Sequence, residues 1–156
     1  MSTKTIAMKL LENRKIPFEA VTYPISERDA EKLAILFGVD PAIVFKTLVV
    51  PRDGRKKPLL VMIPADRQLN LKKLAKAMGE KKLKMASHKE AERLTGLQVG
   101  GISPLALLNK GFAVVVDDSA ELLPHIYISA GQKGINLKVP VPAIIDLTKA
   151  TVHAVT

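Results

Sequence analysis

A lysine set inside an apolar run is the first candidate for chemistry in this chain. Lys46 lies within Val44-Phe45-Lys46-Thr47-Leu48-Val49-Val50. As a strand, period-two alternation puts Val44, Lys46, Leu48 and Val50 on one face and Phe45, Thr47 and Val49 on the other. An unpaired ammonium among aliphatic side chains is costly, so it must snorkel to water, lose its proton or meet an anion. The third outcome would make it a binding-site residue. A lysine that guards a sheet edge against pairing fits the same pattern, and alternation leaves the two readings level.

Two small-residue segments are the next candidates. In Gly100-Gly101-Ile102-Ser103-Pro104 the adjacent glycines permit positive φ and let backbone N–H groups approach a ligand, while the proline stiffens the exit. Such a loop can hold a carbonyl or a phosphate, or simply connect a helix to a strand. Ser129-Ala130-Gly131-Gln132-Lys133-Gly134 joins two strand-like segments and presents a hydroxyl at a strand end. Its length and glycines favour a hairpin turn. Tyr23, just before Pro24, reads as a packed strand-end aromatic.

Basic residues concentrate in the middle third. Lys72, Lys73 and Lys76 fall opposite Leu71, Leu74 and Met78 on a helical pattern, with Lys81, Lys82 and Lys84 following and Arg52, Arg55, Lys56 and Lys57 before. The cluster suits phosphate-backbone contacts, or a solvated helix face. A net charge of +9 over 156 residues points to an acidic partner, nucleic acid first and an anionic membrane surface second. With four Phe, two Tyr and no Trp, extensive base stacking is not expected.

Composition removes several classes of chemistry. The chain has no cysteine, which excludes disulfides, thiolate metal sites and a cysteine nucleophile. His88, His125 and His153 lack metal-ligand spacing, so no metal is expected. Nucleophile-elbow, Walker and dinucleotide-binding motifs are missing. No apolar stretch approaches the ~18 residues of a membrane span, and Met1-Ser2-Thr3-Lys4 opens neither a signal peptide nor a cleavage site. The expectation is a single cytoplasmic domain over residues 1–156 with an ordinary globular composition, 47% apolar and 25% charged.

The elements that must position these residues alternate between helix and strand. Helical periodicity predicts helices from about Thr3 to Lys15, Glu27 to Phe37, Asn70 to Gly79, His88 to Leu94 and Ala143 to Leu147, with one helical turn at Asp40-Pro41. Strands are predicted at Phe18 to Thr22, the Lys46 run, Pro58 to Ile63, Lys81 to Ala86, Phe112 to Val116, Ile126 to Ser129 and Ile135 to Val139. Arg52-Asp53-Gly54-Arg55 makes a hairpin of the second and third. An α/β or α+β domain with a mixed sheet follows.

Three segments in order carry a family resemblance: Phe45-Lys46-Thr47-Leu48-Val49-Val50; Thr95-Gly96 with Val99-Gly100-Gly101-Ile102-Ser103-Pro104-Leu105; and Ile126-Tyr127-Ile128-Ser129-Ala130-Gly131 with Lys133-Gly134. Leu69-Asn70-Leu71-Lys72-Lys73 and Leu10-Leu11-Glu12 add to them. The chain resembles the YbaK/EbsC aminoacyl-tRNA deacylases, related to the editing domain inserted in bacterial prolyl-tRNA synthetases, and is most similar to the Cys-tRNA(Pro) branch. The resemblance implies a mixed sheet curling towards a barrel with surrounding helices. It implies trans-acting hydrolysis of mischarged tRNA without metal or cofactor, the substrate's own thiol attacking its ester. Alternatives are Ala-tRNA(Pro) or another mischarged tRNA as substrate, and a non-catalytic tRNA-binding module. The implied partners are mischarged tRNA(Pro) and prolyl-tRNA synthetase, not a membrane.

Residue by residue, the resemblance implies that Lys46, Gly101 and Ser129 do the catalytic work. Lys46 would hold the tRNA end, Gly101 would offer backbone groups near the reacting carbonyl, and Ser129 a hydroxyl near the aminoacyl group. Tyr23, Thr47, Gly100 and Ile102 would bind substrate, together with Ser103, Pro104, Gly131 and Asn136. Lys72, Lys73 and Lys76 would contact tRNA. The chain departs from the family at Asn136, where relatives often carry Asp, at Ala130 and Ala106, where glycine is usual, and in a short Tyr23–Lys46 stretch lacking Phe-Gly-Asp.

Overall fold

A computed structural model describes residues 4–156. Its organising strand is β3 (Leu59–Pro64), six consecutive buried residues. A run apolar on both faces must be covered on both, and alternation assigns the two sides. Leu60 and Met62 join one core with Phe45, Val49, Val114 and Val116, while Leu59, Val61 and Ile63 join a second with Val50, Leu74 and Val115. β2 (Phe45–Val50) pairs antiparallel with β3 through the anticipated hairpin, β4 (Ala113–Asp117) pairs parallel on the other side, and β7 (Thr151–His153) lies beyond it. The expected mixed sheet is therefore present, with order β2-β3-β4-β7.

A second, antiparallel sheet has order β1-β6-β5, formed by β1 (Glu19–Thr22), β6 (Ile135–Pro140) and β5 (His125–Ser129). Ile126, Ile128, Leu137 and Val139 point from it into the first core. The two sheets meet at one parallel bridge, Val44 to Tyr127, and do not close into a barrel. Among the described residues no helix is long and apolar enough to cross a membrane.

Among the described residues five α-helices surround the sheets, four of them with a side-chain N-cap. α1 (Ile6–Asn13) is capped by Thr5, whose hydroxyl accepts from the Met8 amide. The expected start at Thr3 lies outside the described residues. α2 (Ala30–Phe37) starts three residues later than expected because Asp29 takes the cap and accepts from the Glu31 amide. α3 (Leu71–Met78) runs from the Asn70 cap to Gly79, which adopts the left-handed φ of 67° that a Cβ disfavours. Its Leu74 and Ala75 cover the second core. α4 (His88–Thr95) begins at the Ser87 cap, and α5 (Val141–Thr148) follows directly from β6.

Other elements also differ from expectation. Lys81 to Ala86 is not a strand. Only Leu83 of the six is buried, three are lysines, and among the backbone bonds outside regular elements the segment reaches β2 through Ala86 N–H to Val49 O at 3.0 Å. Pro104–Lys110 forms a 3₁₀ segment, and β7 is an added strand of three residues. Its extension is secured by Asp117, whose Oδ1 accepts from the Val155 amide at 3.1 Å and the Thr156 hydroxyl at 3.3 Å.

Candidate active site

The junction of the two sheets creates a cleft, and strand register decides what enters it. On the three-stranded sheet Ser129 pairs with Asn136, which also pairs with Val21, so these three share the face opposite the Ile126/Ile128 core. Tyr23 follows at the end of β1, with its amide bonded to Gly134 O at 2.9 Å. Its ring meets Phe37 of α2 edge-on at 6.1 Å, and Phe37 stacks on Tyr127 at 5.4 Å. This aromatic file fixes the Tyr23 ring.

The Gly100 carbonyl ties the two sides together. It accepts the Tyr23 hydroxyl at 3.3 Å and, at the long distance of 3.5 Å, the Ser129 hydroxyl. Ser129 Oγ in turn accepts from the Gly131 amide at 3.2 Å. Burial pushes the Tyr23 phenol up from its ordinary value, opposed by hydrogen bonding from Gly134 and Asn136. Tyr23 thus stays a neutral donor across the physiological range.

Lys46 reaches the cleft from the first residues of β2. Its Nζ donates to the Ala65 carbonyl at 3.3 Å, which resolves the difficulty posed by its apolar face. One of three ammonium donors is used, and the side chain is half-buried. Lys46, Thr47, Tyr23, Gly100, Ile102, Ser129 and Asn136 all line one cleft of about 90 Å³.

The double glycine acts as architecture. Gly100 has φ of 93°, and a Cβ on Gly101 would stand 3.0 Å from the Gln132 and Lys133 backbone. Two loops pack backbone to backbone there, which only glycine permits. The Gly101 amide donates to Gln98 O at 2.7 Å, and its neighbours Gly100 and Ile102 face the cleft. Gly101, Ser103, Pro104 and Gly131 do not line this cleft, and the Gly101 amide, used by Gln98 O, is not the free donor expected of it. Ser103 is wholly buried, with a hydroxyl lacking a partner among the described residues. Lys72, Lys73 and Lys76 are exposed on α3, away from the cleft, and Lys73 Nζ donates to Thr156 O at 3.0 Å.

Sequence reasoning missed Glu27 and Arg28, which also line the cleft. They lie between Tyr23 and α2 in an irregular segment without periodicity. The signal available was their place within the short Tyr23–Lys46 stretch. Among the described residues no group of three or more His, Cys, Asp or Glu is arranged to hold a metal.

Comparisons place this geometry among known proteins. Residues 26–147 match the family model described as "Aminoacyl-tRNA editing domain". A protein of Enterococcus faecalis named "Putative Cys-tRNA(Pro)/Cys-tRNA(Cys) deacylase EbsC" is 35% identical over 98% of this chain and 93% of its own length. A proline–tRNA ligase of Citrifermentans bemidjiense is 33% identical over 78% of this chain, which spans 21% of that ligase. The crystal structure of hypothetical protein APE2540 superposes with a TM-score of 0.86 at 26% identity, covering 96% of this chain and 98% of that one. A crystal structure titled as a "putative trans-editing enzyme for prolyl tRNA synthetase" gives 0.82 at 24% identity, covers 99% of both chains, and supports the fold.

Proposed function

The chain belongs to the aminoacyl-tRNA editing domain family, and on that premise we propose that it hydrolyses mischarged aminoacyl-tRNA in trans, with Cys-tRNA(Pro) as its substrate. The observation that carries the reading is the convergence of Lys46, Tyr23, Ser129 and Asn136 on one small cleft. The relative that this chain spans almost end to end is named for Cys-tRNA(Pro) and Cys-tRNA(Cys), which favours that aminoacyl group over alanine.

The arrangement favours positioning and electrostatics over an enzyme nucleophile. Ser129 is the hydroxyl nearest that role, yet His88, His125 and His153 do not line the cleft, so no imidazole is there to take its proton. Its oxygen is also committed to the Gly131 amide. In the reaction proposed, the substrate thiol attacks its own ester carbonyl: a C–S bond forms, the ester C–O bond breaks, and the thiol proton passes to the leaving ribose oxygen. Water then opens the resulting four-membered thiolactone to free cysteine, which completes the net hydrolysis. Lys46 holds phosphate or ribose oxygens with its remaining donors. Ser129 and Tyr23 fix the walls through Gly100, and Gly101 lets those walls approach.

The test is a panel of tRNA(Pro) charged with Cys, Ala, Ser and Pro. Cys-tRNA(Pro) should lose its amino acid fastest and Pro-tRNA(Pro) should be spared. Faster loss of Ala would move the substrate assignment. Salt-sensitive tRNA binding with no deacylation of any form would replace the enzyme by a binding module.

A further inference from the structure

The cleft is chemically two-sided. Lys46 and Arg28 bring cationic side chains to it, whereas Glu27 is the one carboxylate among its lining residues. The other polar side chains there, Tyr23, Thr47, Ser129 and Asn136, are a phenol, two aliphatic hydroxyls and an amide. An aminoacyl-tRNA end is two-sided in the same sense. It carries an α-ammonium on the acyl group and phosphates on the nucleotide. The cations account for the second charge, which leaves the ammonium to be matched.

Local geometry keeps Glu27 available. It sits in a turn after β1, its own amide donating to Pro24 O at 2.9 Å. One carboxylate oxygen, Oε2, accepts from the backbone amides of Arg28 at 3.1 Å and Asp29 at 3.4 Å. Oε1 has no hydrogen-bond partner among the described residues, and no lysine or arginine lies within ion-pair distance of the group. The backbone thus orients the carboxylate while its charge remains unneutralised. Such a group, half-buried at a cleft, is complementary to a cation brought by the ligand.

We infer that Glu27 binds the α-ammonium of the aminoacyl group and makes the cleft select a free amino-acid ester over an N-blocked one. This rests on the cleft being the deacylation site. It adds a residue that selects substrate by charge, opposite in sign to Lys46. Arg28, adjacent in the chain but exposed, is left for the nucleotide side.

Binding of a non-hydrolysable 3′-amide analogue of cysteinyl-adenosine, measured by calorimetry beside its N-acetylated form, tests the assignment. The native protein should prefer the free amine. Glu27→Gln keeps an oxygen for the Arg28 and Asp29 amides, so the turn survives, which a thermal melt checks. This variant should bind the free amine about tenfold more weakly and the N-acetyl form unchanged. Equal loss for both analogues, or loss for neither, overturns the inference. In turnover of Cys-tRNA(Pro), Glu27→Gln should raise KM and leave kcat near native. A Glu27-dependent preference for the free amine in a protein that deacylates no charged tRNA would sink the proposed function alone. Deacylation by the native protein with an indistinguishable Glu27→Gln variant would sink this inference alone.

Discussion

The α3 layer and the junction of the two sheets teach different lessons about this molecule. On the α3 side, regular elements with ordinary caps bury Val50, Leu59, Val61, Ile63, Leu74 and Val115 in a dry, apolar layer. Where the two sheets meet, on the face of β5 and β6 turned away from the first core, Tyr23 and Ser129 meet the loop of Gly100 and Gly101, with Asn136 paired to Ser129. Lys46 stands between them, with a stem aligned to the apolar face and an ammonium delivered to the cleft. The first region supplies stability and tolerates little loss of volume. The second holds hydroxyls and charges in place, and its substitutions should be felt in turnover more than in folding.

The sharpest way to break that division is to mutate each side and measure both properties. Leu74→Ala removes a wholly buried side chain from the α3 layer and should cost about 2–5 kcal/mol in urea unfolding, with turnover per folded molecule unchanged. Lys46→Ala should do the reverse. Removing a donor that acts in the reaction costs about 10²-fold in kcat, whereas losing one 3.3 Å bond to Ala65 should change stability by about 1 kcal/mol or less. Near-native turnover by this variant would remove Lys46 from the mechanism. Gly101→Ala blurs the boundary on purpose. The added methyl meets backbone at 3.0 Å, so the loops must part, at about 1–3 kcal/mol and with reduced turnover. A variant of full stability and activity would show that the close approach is dispensable.

The same division explains which parts were legible in the sequence. α3 was readable because Leu71, Leu74, Ala75 and Met78 repeat at helical spacing between an Asn70 cap and Gly79. β7 was not, because Thr151-Val152-His153 offers one apolar residue, and its extension depends on Asp117, 38 positions before Val155. Lys81 to Ala86 was predicted as a strand, yet it lacks the row of backbone bonds that would make it one. In the site, Lys46 announced itself by a charge in an apolar run. The roles of Gly100 and Gly101 needed the opposing Gln132–Lys133 backbone, which no local pattern reveals. Glu27 and Arg28 were missed for the opposite reason, since they were read as the charged first turn of a helix that in fact begins at Ala30.

The subtlest test concerns Tyr23, whose hydroxyl spans the boundary by bonding Gly100 O. Tyr23→Phe keeps the ring against Phe37 and removes one neutral hydrogen bond, about 0.5–1.5 kcal/mol. The sign of the pH effect follows from burial. The folded phenol titrates above its ordinary value near 10.0, so its contribution is complete below that pH and fades as pH rises through the folded value. Native protein should therefore lose stability on the alkaline side of pH 10, and Tyr23→Phe should show a shallower decline. At neutral pH the variant should lose a few-fold in turnover, through a looser Gly100 wall. An unchanged alkaline slope would mean that the Tyr23 hydroxyl is solvated in the folded state and does not brace the cleft.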